Sequence, residues 1–401
     1  MNNIYKLNNK IKHYEWGSSK ILPQFLNMEN KKNLPFAEMW MGTHKSGSSQ
    51  VADDTGNFVN LSEVSGDMPF LLKLLAVEKP LSIQAHPNKE QAQEGFNKEE
   101  SAALSLTAPK RNYKDTNHKP EILCALTPFK MMAGFREPEK IKYSLEEFLT
   151  IAPQLKDIIS PLIKTLVSGQ LSGFFRTLFN FTEYEMEYLC SFINGMNENI
   201  SNKIISNEQC NLMKSFCAVY PGDPAILSPL YLNYLELNPG QAVYIPAGIL
   251  HAYLSGFGVE LMTNSDNVLR GGLTHKHIDI SELLNILYFV PFVPQVITPP
   301  ESASWYCYHT PCDEFQLAYM RGEGNEETFP GNTPAICIVT DGELKAGNKT
   351  FKKGESFFIN KDSSGEALRA EPFSFCGNFQ LFAACTSSAP KYNGKRKSLS
   401  G

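Results

Sequence analysis

The chain has 401 residues, of which 42% are hydrophobic and 20% are charged. This balance is that of an average globular protein, so disorder of the whole chain is excluded, and the length suffices for two or three domains with large cores. The formal net charge of −5 argues against a general nucleic-acid binder, whose binding face would be basic.

The cysteines and the apolar runs indicate the compartment. The first residues have no apolar core of a signal peptide, and no apolar run approaches the ~18 residues of a membrane-spanning helix. The nine cysteines are scattered, and none forms a Cys-x-x-Cys pair. We therefore expect a cytoplasmic protein with free thiols, without a thiolate zinc site and without nucleic acid or membrane as a partner.

Two motifs near the start of the chain place an acid and a tryptophan before a glycine, at residues 14–17 (YEWG) and 37–42 (AEMWMG). Both are typical of a core aromatic packed on close backbone. Residues 68–77 (MPFLLKLLAV) then predict a buried strand that contains one charge, Lys73. A lysine in such a strand must reach either solvent or a polar cavity.

Residues 80–87 (PLSIQAHP) predict a strand with one wholly polar face. Because side chains alternate along a strand, Ser82, Gln84 and His86 share that face. The pattern indicates either a wet cavity or metal site, or a strand surface that faces solvent. Residues 89–106 follow with a helical pattern.

The run of residues 118–126 (HKPEILCAL) predicts another strand, which Pro120 begins because a missing N–H is tolerated there. Glu121 falls at the start of this strand. A single glutamate in that position is typical of a surface ion pair. Beside Gln84 and His86, however, it is a candidate oxygen ligand.

Residues 137–220 change in character, because large apolar residues recur at spacings of three and four. Ser144 and Thr182 are each followed three residues later by a glutamate, which is the pattern of a helix-capping box. Prolines, Pro161 among them, are expected to divide the run into several helices. We predict a helical lobe that carries no catalytic constellation.

Residues 240–256 (GQAVYIPAGILHAYLSG) predict a strand–turn–strand unit with its corner at Pro246 and Gly248. Its spacing resembles the second metal-binding motif of the cupin barrels. A barrel wall holds a strand-borne ring in place, so His251 suits a metal ligand. The other interpretation is a hairpin with a buried, hydrogen-bonded histidine.

Further polar positions follow the hairpin. Glu260 lies on a predicted strand, Asp266 in a polar turn, and Arg270 before two glycines that let a ligand approach the backbone closely. Arg270 could equally form a surface ion pair. A helix is predicted to begin after Asp279 as its N-cap. Residues 342–359 repeat the strand–turn–strand pattern without a histidine, which predicts a second β-domain that holds no metal.

The candidate ligands offer two imidazole nitrogens and two oxygens: Gln84, His86, Glu121 and His251. Such a set suits Zn²⁺, and also Fe²⁺, Mn²⁺ or Co²⁺. A mixed nitrogen and oxygen site with room for substrate is of the catalytic kind, in which a metal acts as a Lewis acid.

The same motifs carry four cations: Lys73, Lys119, Arg270 and Lys276. Four cations near one metal indicate an anionic substrate. A phosphate fits best, since charge-assisted hydrogen bonds to it are worth roughly 1.5–3 kcal/mol each. The candidate proton carriers, each of which could instead be a solvated surface charge, are Glu260, Asp266 and His118.

Taken together, these motifs resemble the type I mannose-6-phosphate isomerases (phosphomannose isomerases) over nearly the whole chain. The matching runs are residues 14–17, 37–44, 80–89, 118–121, 220–223, 246–248, 251–254 and 264–274. The resemblance implies a mainly β fold of tandem cupin/jelly-roll barrels with an α-helical insertion. The predicted domains are a metal-binding catalytic cupin domain (1–136 and 221–296), a helical lobe (137–220), a C-terminal jelly roll without metal (297–386) and a flexible tail (387–401).

Matched motif by motif, the resemblance implies one zinc ion per chain, with ligands Gln84, His86, Glu121 and His251. It implies catalytic roles for Arg270, Lys119 and Glu260. It implies substrate contacts for Lys73, Ser82, His118, Tyr253, Asp266 and Lys276. One departure is His275, which stands where many relatives have a proline and which concerns only the local backbone.

The implied reaction is the isomerisation of mannose 6-phosphate and fructose 6-phosphate through a cis-enediol, by a monomeric enzyme. Lys119, Glu260 and a zinc-bound water rank ahead of His118 as the group that takes the proton. One rival is an Fe²⁺ dioxygenase of the same fold, against which the glutamine ligand and the cations argue. Another is a sugar-phosphate-binding cupin without activity, against which Arg270 and the complete ligand set argue. The pathway, GDP-mannose biosynthesis or mannose catabolism, is left open.

Overall fold

The computed structural model describes residues 4–52, 56–167, 170–196, 206–329, 333–360 and 373–386. The tail predicted at residues 387–401 lies outside the described residues. Among the helices in the described ranges, none is long and apolar enough to cross a membrane.

The first part of the chain consists mainly of short buried strands. Its elements are β1 (Ile4–Asn8), β2 (Lys10–Lys12), α1 (Ile21–Phe25), β3 (Glu38–Gly42), β4 (Gln50–Ala52), β5 (Phe58–Asn60), α2 (Leu61–Ser65), β6 (Phe70–Val77), β7 (Ile83–Ala85), α3 (Lys89–Ser101), β8 (Glu121–Ala125) and β9 (Phe129–Phe135). β6 is buried along its whole length, which confirms the strand predicted around Lys73. α3 ends before the predicted residue 106, because Ala103 adopts a left-handed φ of 52°.

A helical region follows. It contains α4 (Pro138–Ile151), α5 (Lys156–Val167), α6 (Leu171–Leu178), α7 (Glu183–Gly195), α8 (Asn207–Val219) and α9 (Ser228–Tyr231), with 3₁₀ turns at Pro153–Leu155 and Pro224–Leu227. The capping box at Thr182 is confirmed, since its hydroxyl accepts from the N–H of Glu185.

Two local predictions in this region are wrong. Ser144 does not begin a helix but lies buried within α4, where its hydroxyl accepts from Arg136. The helix begins earlier, at Pro138, because a proline suits the first turn. Pro161 does not divide the chain but lies inside α5. Ile159 and Leu162 beside it are fully buried, and this packing outweighs the roughly 3 kcal/mol that an interior proline costs.

The chain then returns to strands. The elements are β10 (Leu232–Leu237), β11 (Ala242–Ile245), β12 (His251–Thr263), β13 (Leu269–Gly272), α10 (Ile280–Ile286) and β14 (Val296–Ile297). The predicted strand–turn–strand unit is confirmed, with β11 and β12 on either side of Gly248, whose φ is 77°. The predicted N-cap is also confirmed, since the Asp279 carboxylate accepts from the N–H of Glu282 at 3.0 Å.

The last described strands are β15 (Trp305–Tyr308), β16 (Gln316–Phe329), β17 (Ala335–Ala346), β18 (Lys349–Lys352), β19 (Ser356–Ile359) and β20 (Phe373–Cys385). They pair antiparallel in the order β15-β16-β20-β17-β19, and β19 then pairs with β1. The domain division proposed from the sequence stays a prediction. β1, from the predicted N-terminal domain, pairs with β19 of the predicted C-terminal domain.

The other sheet places the candidate site. Within the described residues its main path is β14-β11-β8-β12-β6-β3-β2. The long β12 pairs with β7 and β9 near His251, and with β6 and β8 from Gly256 onward. Gly256 has a φ of 129°, and the register shifts between Tyr253 and Ser255. These irregularities let one strand bend across both halves of the sheet. The elements as a whole confirm the predicted mainly β fold with a helical region.

Candidate metal centre

Strand pairing brings three predicted site residues side by side. Gln84 on β7 lies directly opposite His251 on one side and Arg270 of β13 on the other. Residues that are paired in this way point to the same face of a sheet, with Cβ atoms about 5 Å apart. Their neighbours Ile83 and Ala85 point the opposite way and pack in the same core cluster as the helices. The apolar side of β7 is therefore covered by the helical region, and its polar side faces the site.

The centre of the site is a buried cluster of His86, Glu121 and His251. His86 Nε2 lies 3.3 Å from Glu121 Oε1, and His251 Nε2 lies 3.2 Å from Glu121 Oε2. One ligand atom from each residue falls within 4.8 Å of the others. The three residues are at most 3% exposed. They can therefore hold one metal ion.

Backbone carbonyls set the tautomer of both histidines. His86 Nδ1 lies 2.8 Å from the carbonyl oxygen of Asn267, and His251 Nδ1 lies 3.0 Å from that of Ile249. A carbonyl oxygen only accepts, so each Nδ1 carries the proton. Each Nε2 is then free to bind a metal ion, which is the usual arrangement of metal-binding histidines.

The protonation states fit a metal site. Burial, assisted by the neighbouring Lys119 ammonium, lowers the pKa of His86 to about 4, so the ring is neutral at pH 7. Burial favours the protonated form of Glu121, but the Lys119 ammonium holds its pKa well below its usual range. Neutral imidazole and ionised carboxylate are the forms that a divalent ion binds. The donor set therefore fits Zn²⁺ or a related ion.

Buried cations surround the cluster. Lys119 donates a hydrogen bond to Glu121. On the adjacent strands, Lys73 Nζ lies 3.0 Å from Glu260 Oε2. Burial opposes the charged form of Lys73, but Glu260 and the nearby Glu38 raise its pKa above the ordinary value. Lys73 therefore stays charged inside the protein.

A narrow cavity of about 60 Å³ lies next to the cluster. The predicted site residues that line it are Lys73, Ser82, Gln84, Lys119, Glu121, His251, Tyr253 and Glu260. The Tyr253 hydroxyl donates to Glu121 at 3.4 Å. A larger cavity of about 630 Å³ lies elsewhere, and residues such as His44 and Lys45 line it instead of the metal cluster. We assign the chemistry to the smaller cavity because three of the four candidate ligands, Gln84, Glu121 and His251, line it.

Other predicted site residues lie outside this cavity. The ring of His118 points away from it, because its Nε2 pairs with Glu314 at 2.7 Å. The structure therefore does not place His118 at this cavity, and its substrate contact stays a prediction. Asp266 pairs with His44 at 3.3 Å. Arg270 is half-buried, and within the described part of the chain it makes no ion pair with a carboxylate.

Lys276 and Arg270 lie close enough to repel each other. Burial lowers the pKa of Lys276, and the charge of Arg270 lowers it further. Burial also lowers the pKa of Arg270. Two neighbouring cations without a described counterion form a place for an anion.

The sequence interpretation missed one charged residue of the cavity, Glu38. It is 7% exposed in β3, accepts a hydrogen bond from the indole N–H of Trp40, and lines the cavity beside Lys73. The available signal was an acid at the start of a five-residue strand that is otherwise apolar. The interpretation instead treated the Glu38 and Trp40 motif as core packing.

The fold and the site define a metal-binding protein of the cupin type, in which a β-sheet brings two histidines and a glutamate together so that they can hold one ion. The comparisons with known proteins agree. Residues 4–138 match the family model for phosphomannose isomerase type I, catalytic domain. The chain is 35% identical over 383 residues to the mannose-6-phosphate isomerase of Escherichia coli (strain K12), covering 90% of this chain and 96% of that protein. The chain belongs to the type I phosphomannose isomerase family.

A more distant relative and two solved structures extend the match. The mannose-6-phosphate isomerase of Bos taurus is 30% identical over 429 residues, covering 95% of this chain and 98% of that protein. A zinc-bound crystal structure of mannose 6-phosphate isomerase superposes with a TM-score of 0.82 at 31% identity, covering 96% and 100% of the two chains. A Salmonella typhimurium structure bound to its substrate fructose 6-phosphate and to zinc gives a TM-score of 0.82 at 32% identity with the same coverage.

Proposed function

We propose that this protein interconverts mannose 6-phosphate and fructose 6-phosphate, with one zinc ion bound per chain. The observation that carries the proposal is the buried cluster of His86, Glu121 and His251 beside several cations. This cluster occurs in a chain that is 35% identical to a mannose-6-phosphate isomerase along most of its length. The related structure with substrate and zinc supports the same pair of ligands.

The residues proposed to hold zinc are Gln84, His86, Glu121 and His251. The two histidines present unprotonated Nε2 atoms, and Glu121 presents two carboxylate oxygens between them. Gln84 adds an amide oxygen from the position next to His251 in the sheet. When bound, zinc supplies Lewis-acid stabilisation of negative charge on a substrate oxygen.

The cavity and the cations indicate how the sugar phosphate lies. The cavity beside the candidate ligands is narrow, about 60 Å³, so we place the reactive C1–C2 end of the sugar in it. The phosphate then remains toward solvent, where Arg270 is half-buried and Lys276 exposed. Charge-assisted hydrogen bonds from these two cations would hold it.

The reaction moves one proton between C2 and C1 of the open-chain sugar and another between O2 and O1, and it passes through a cis-enediol. Among the candidate bases we propose Glu260. Burial raises the pKa of Glu260, which makes its carboxylate a stronger base than an exposed one. Lys73, at 3.0 Å, holds that carboxylate in place. Glu260 takes the proton from one carbon and returns it to the next.

Lys119 and Arg270 are proposed to stabilise the oxygens of the sugar. The Lys119 ammonium already donates to Glu121, and a protonated amine has no lone pair with which to accept a proton. It therefore acts as a hydrogen-bond donor to O1 or O2 as their charge develops. Arg270 lies beside Gln84 in the sheet and adds a second cation.

The test is an assay of fructose 6-phosphate formation from mannose 6-phosphate, with zinc analysis of the same sample. We expect turnover that a chelator abolishes and that added zinc restores. Zinc bound without turnover would favour a sugar-phosphate-binding protein. Turnover that survives removal of all metal would contradict the proposed role of zinc.

We also propose that the protein acts as a monomer in the cytoplasm. The nine cysteines all fall within the described ranges, and each is a free thiol there, as expected in a reducing compartment. Light scattering of the purified protein tests the monomer, and a stable dimer at micromolar concentration would contradict it.

A further inference from the structure

Asn267 lies between the metal cluster and the residues that lead to Glu121, and its side chain is not among the proposed metal or substrate contacts. It is 0% exposed and belongs to the turn that precedes Arg270. A fully buried asparagine is costly unless its amide is hydrogen-bonded. Here the hydrogen bonds all lead to one neighbouring segment.

The side chain of Asn267 binds residues 114–117. Its Oδ1 accepts from the backbone N–H of Lys114 at 2.7 Å and from that of Asp115 at 3.2 Å. Its Nδ2 donates to the carbonyl oxygens of Asp115 and Asn117, both at 2.8 Å. Every donor and acceptor of the amide is used. The segment it binds continues directly to Lys119 and Glu121.

A second set of bonds fastens the same two segments. The hydroxyl of Ser265 donates to Asp115 Oδ1 at 2.9 Å, and the backbone N–H of Asp266 donates to Asp115 Oδ2 at 2.8 Å. Ser265 Oγ also accepts from the backbone N–H of Asn267 at 3.2 Å. These bonds leave the turn little freedom to move relative to residues 114–117.

The backbone of Asn267 acts on the metal site itself. Its carbonyl oxygen is the acceptor for His86 Nδ1 at 2.8 Å. This contact fixes the ring orientation and directs Nε2 toward Glu121. One residue thus connects two candidate ligands, the first through its carbonyl and the second through the segment that its side chain binds.

We infer that Asn267 is a positioning residue for the metal centre: its buried amide fastens residues 114–117 to the turn whose carbonyl orients His86. The inference rests on the proposed function for its choice of zinc as the metal. An amide is required because the segment offers backbone N–H groups to the Oδ1 and carbonyl oxygens to the Nδ2. A carboxylate in its place would put negative charge against the carbonyl oxygens of Asp115 and Asn117, and an alanine would leave the four backbone groups without their partner.

The experiment measures zinc affinity of the full chain by competition with a chelator. The variant is Asn267→Ala, and the matched control is Asn30→Ala. The side chain of Asn30 also bridges two backbone segments, since its Nδ2 donates to the carbonyl oxygens of Ser19 and Leu34 and its Oδ1 accepts from the N–H of Leu34, but neither segment carries a candidate ligand.

We expect Asn267→Ala to weaken zinc binding by about 10- to 100-fold, as loss of groups that orient metal ligands does. Asn30→Ala should lower the Tm of the metal-free protein but leave the zinc dissociation constant within about 3-fold of the unmodified protein. The visible spectrum of the Co²⁺-loaded protein should change for Asn267→Ala alone, because ligand geometry determines it. Equal zinc affinity and equal spectra in the two variants would overturn the inference.

Ser265→Ala keeps the test decisive if Asn267→Ala does not fold. It removes one side chain from the same set of bonds and should weaken zinc binding about 5-fold, the effect of losing roughly 1 kcal/mol. Unchanged zinc affinity in that variant would overturn the inference. The proposed function fails separately, through absence of isomerase turnover in the unmodified protein, and such a result would leave these affinity comparisons valid.

Discussion

Removal of the Lys73 charge should destabilise the protein in a way that depends on Glu260. The two residues face each other across β6 and β12, with 3.0 Å between Nζ and Oε2, and their side chains are 7% and 4% exposed. Lys73→Met keeps most of the volume and removes the ammonium. Glu260 is then left buried without its nearest counterion.

The expected loss is about 3–5 kcal/mol, the usual effect of leaving one member of a buried pair uncompensated. That is a large share of the roughly 5–15 kcal/mol by which a folded domain is stable. The surface pair of Lys130 and Glu208 provides the matched control, since its side chains are 38% exposed. Lys130→Met should cost less than about 1 kcal/mol.

The loss should grow as the pH rises. Burial raises the pKa of Glu260 in the folded protein, and the absence of Lys73 raises it further. Between the unfolded and the folded pKa, the folded variant binds more protons than the unfolded chain, so its stability falls with increasing pH. Lys73→Met should therefore be closer to the unmodified protein at pH 5 than at pH 8.

The assay is thermal and urea unfolding of metal-free Lys73→Met, Glu260→Gln and the double variant at both pH values. The double variant should be more stable at pH 8 than the sum of the two single losses predicts, because it contains no buried unpaired charge. The contact of Lys73 with the Trp40 ring at 5.5 Å is lost in both Lys73 variants and cancels in the cycle. Strict additivity, or a Lys73→Met loss that does not exceed that of Lys130→Met, would refute the reasoning.

Two other predictions concern the same site. Arg270→Ala should lower kcat at least about 100-fold, as loss of one transition-state donor does. The zinc content should stay the same, because Arg270 is not among the proposed ligands. Loss of zinc or near-normal kcat would count against this role. In the metal-free protein, burial and Lys119 lower the pKa of His86 from 6.5 to about 4, so the unfolded chain binds more protons in this interval. The free energy of unfolding should then fall by about 3 kcal/mol as the pH drops from about 6.5 to 4. A His86→Gln variant that showed the same loss would contradict the assignment of this pH dependence to His86.

Local patterns were sufficient to predict several elements. Alternation predicted that Gln84 lies on the polar side of β7. The pairing of Gln84 with His251 and Arg270 confirms that this side faces the site. The capping box at Thr182 and the N-cap at Asp279 were also predicted from local patterns. Each depends only on residues within three positions of each other. The roles of these site residues in catalysis stay predictions until the variants are measured.

Long-range contacts decided what the local pattern could not. Ser144 has the residues of a cap, but it packs against Arg136 in the interior of a longer helix. His118 belongs to the motif that carries Glu121, yet its ring turns to Glu314, 196 positions further along the chain. Glu38 becomes part of the cavity only because strand pairing sets β3 beside β6.

The sequence by itself determined the chemistry that is available: two histidines, a glutamine and a glutamate on strands, with lysines and an arginine in the same motifs. The tertiary structure alone decided which of these groups meet. The register of β12 puts His251 opposite Gln84 and Glu260 opposite Lys73. A strand's side-chain alternation is set by its own backbone, whereas its register depends on partners far away in the chain and on the packing of both faces. The single site residue Asn267, with bonds both to His86 and to residues 114–117, is the clearest product of that long-range arrangement.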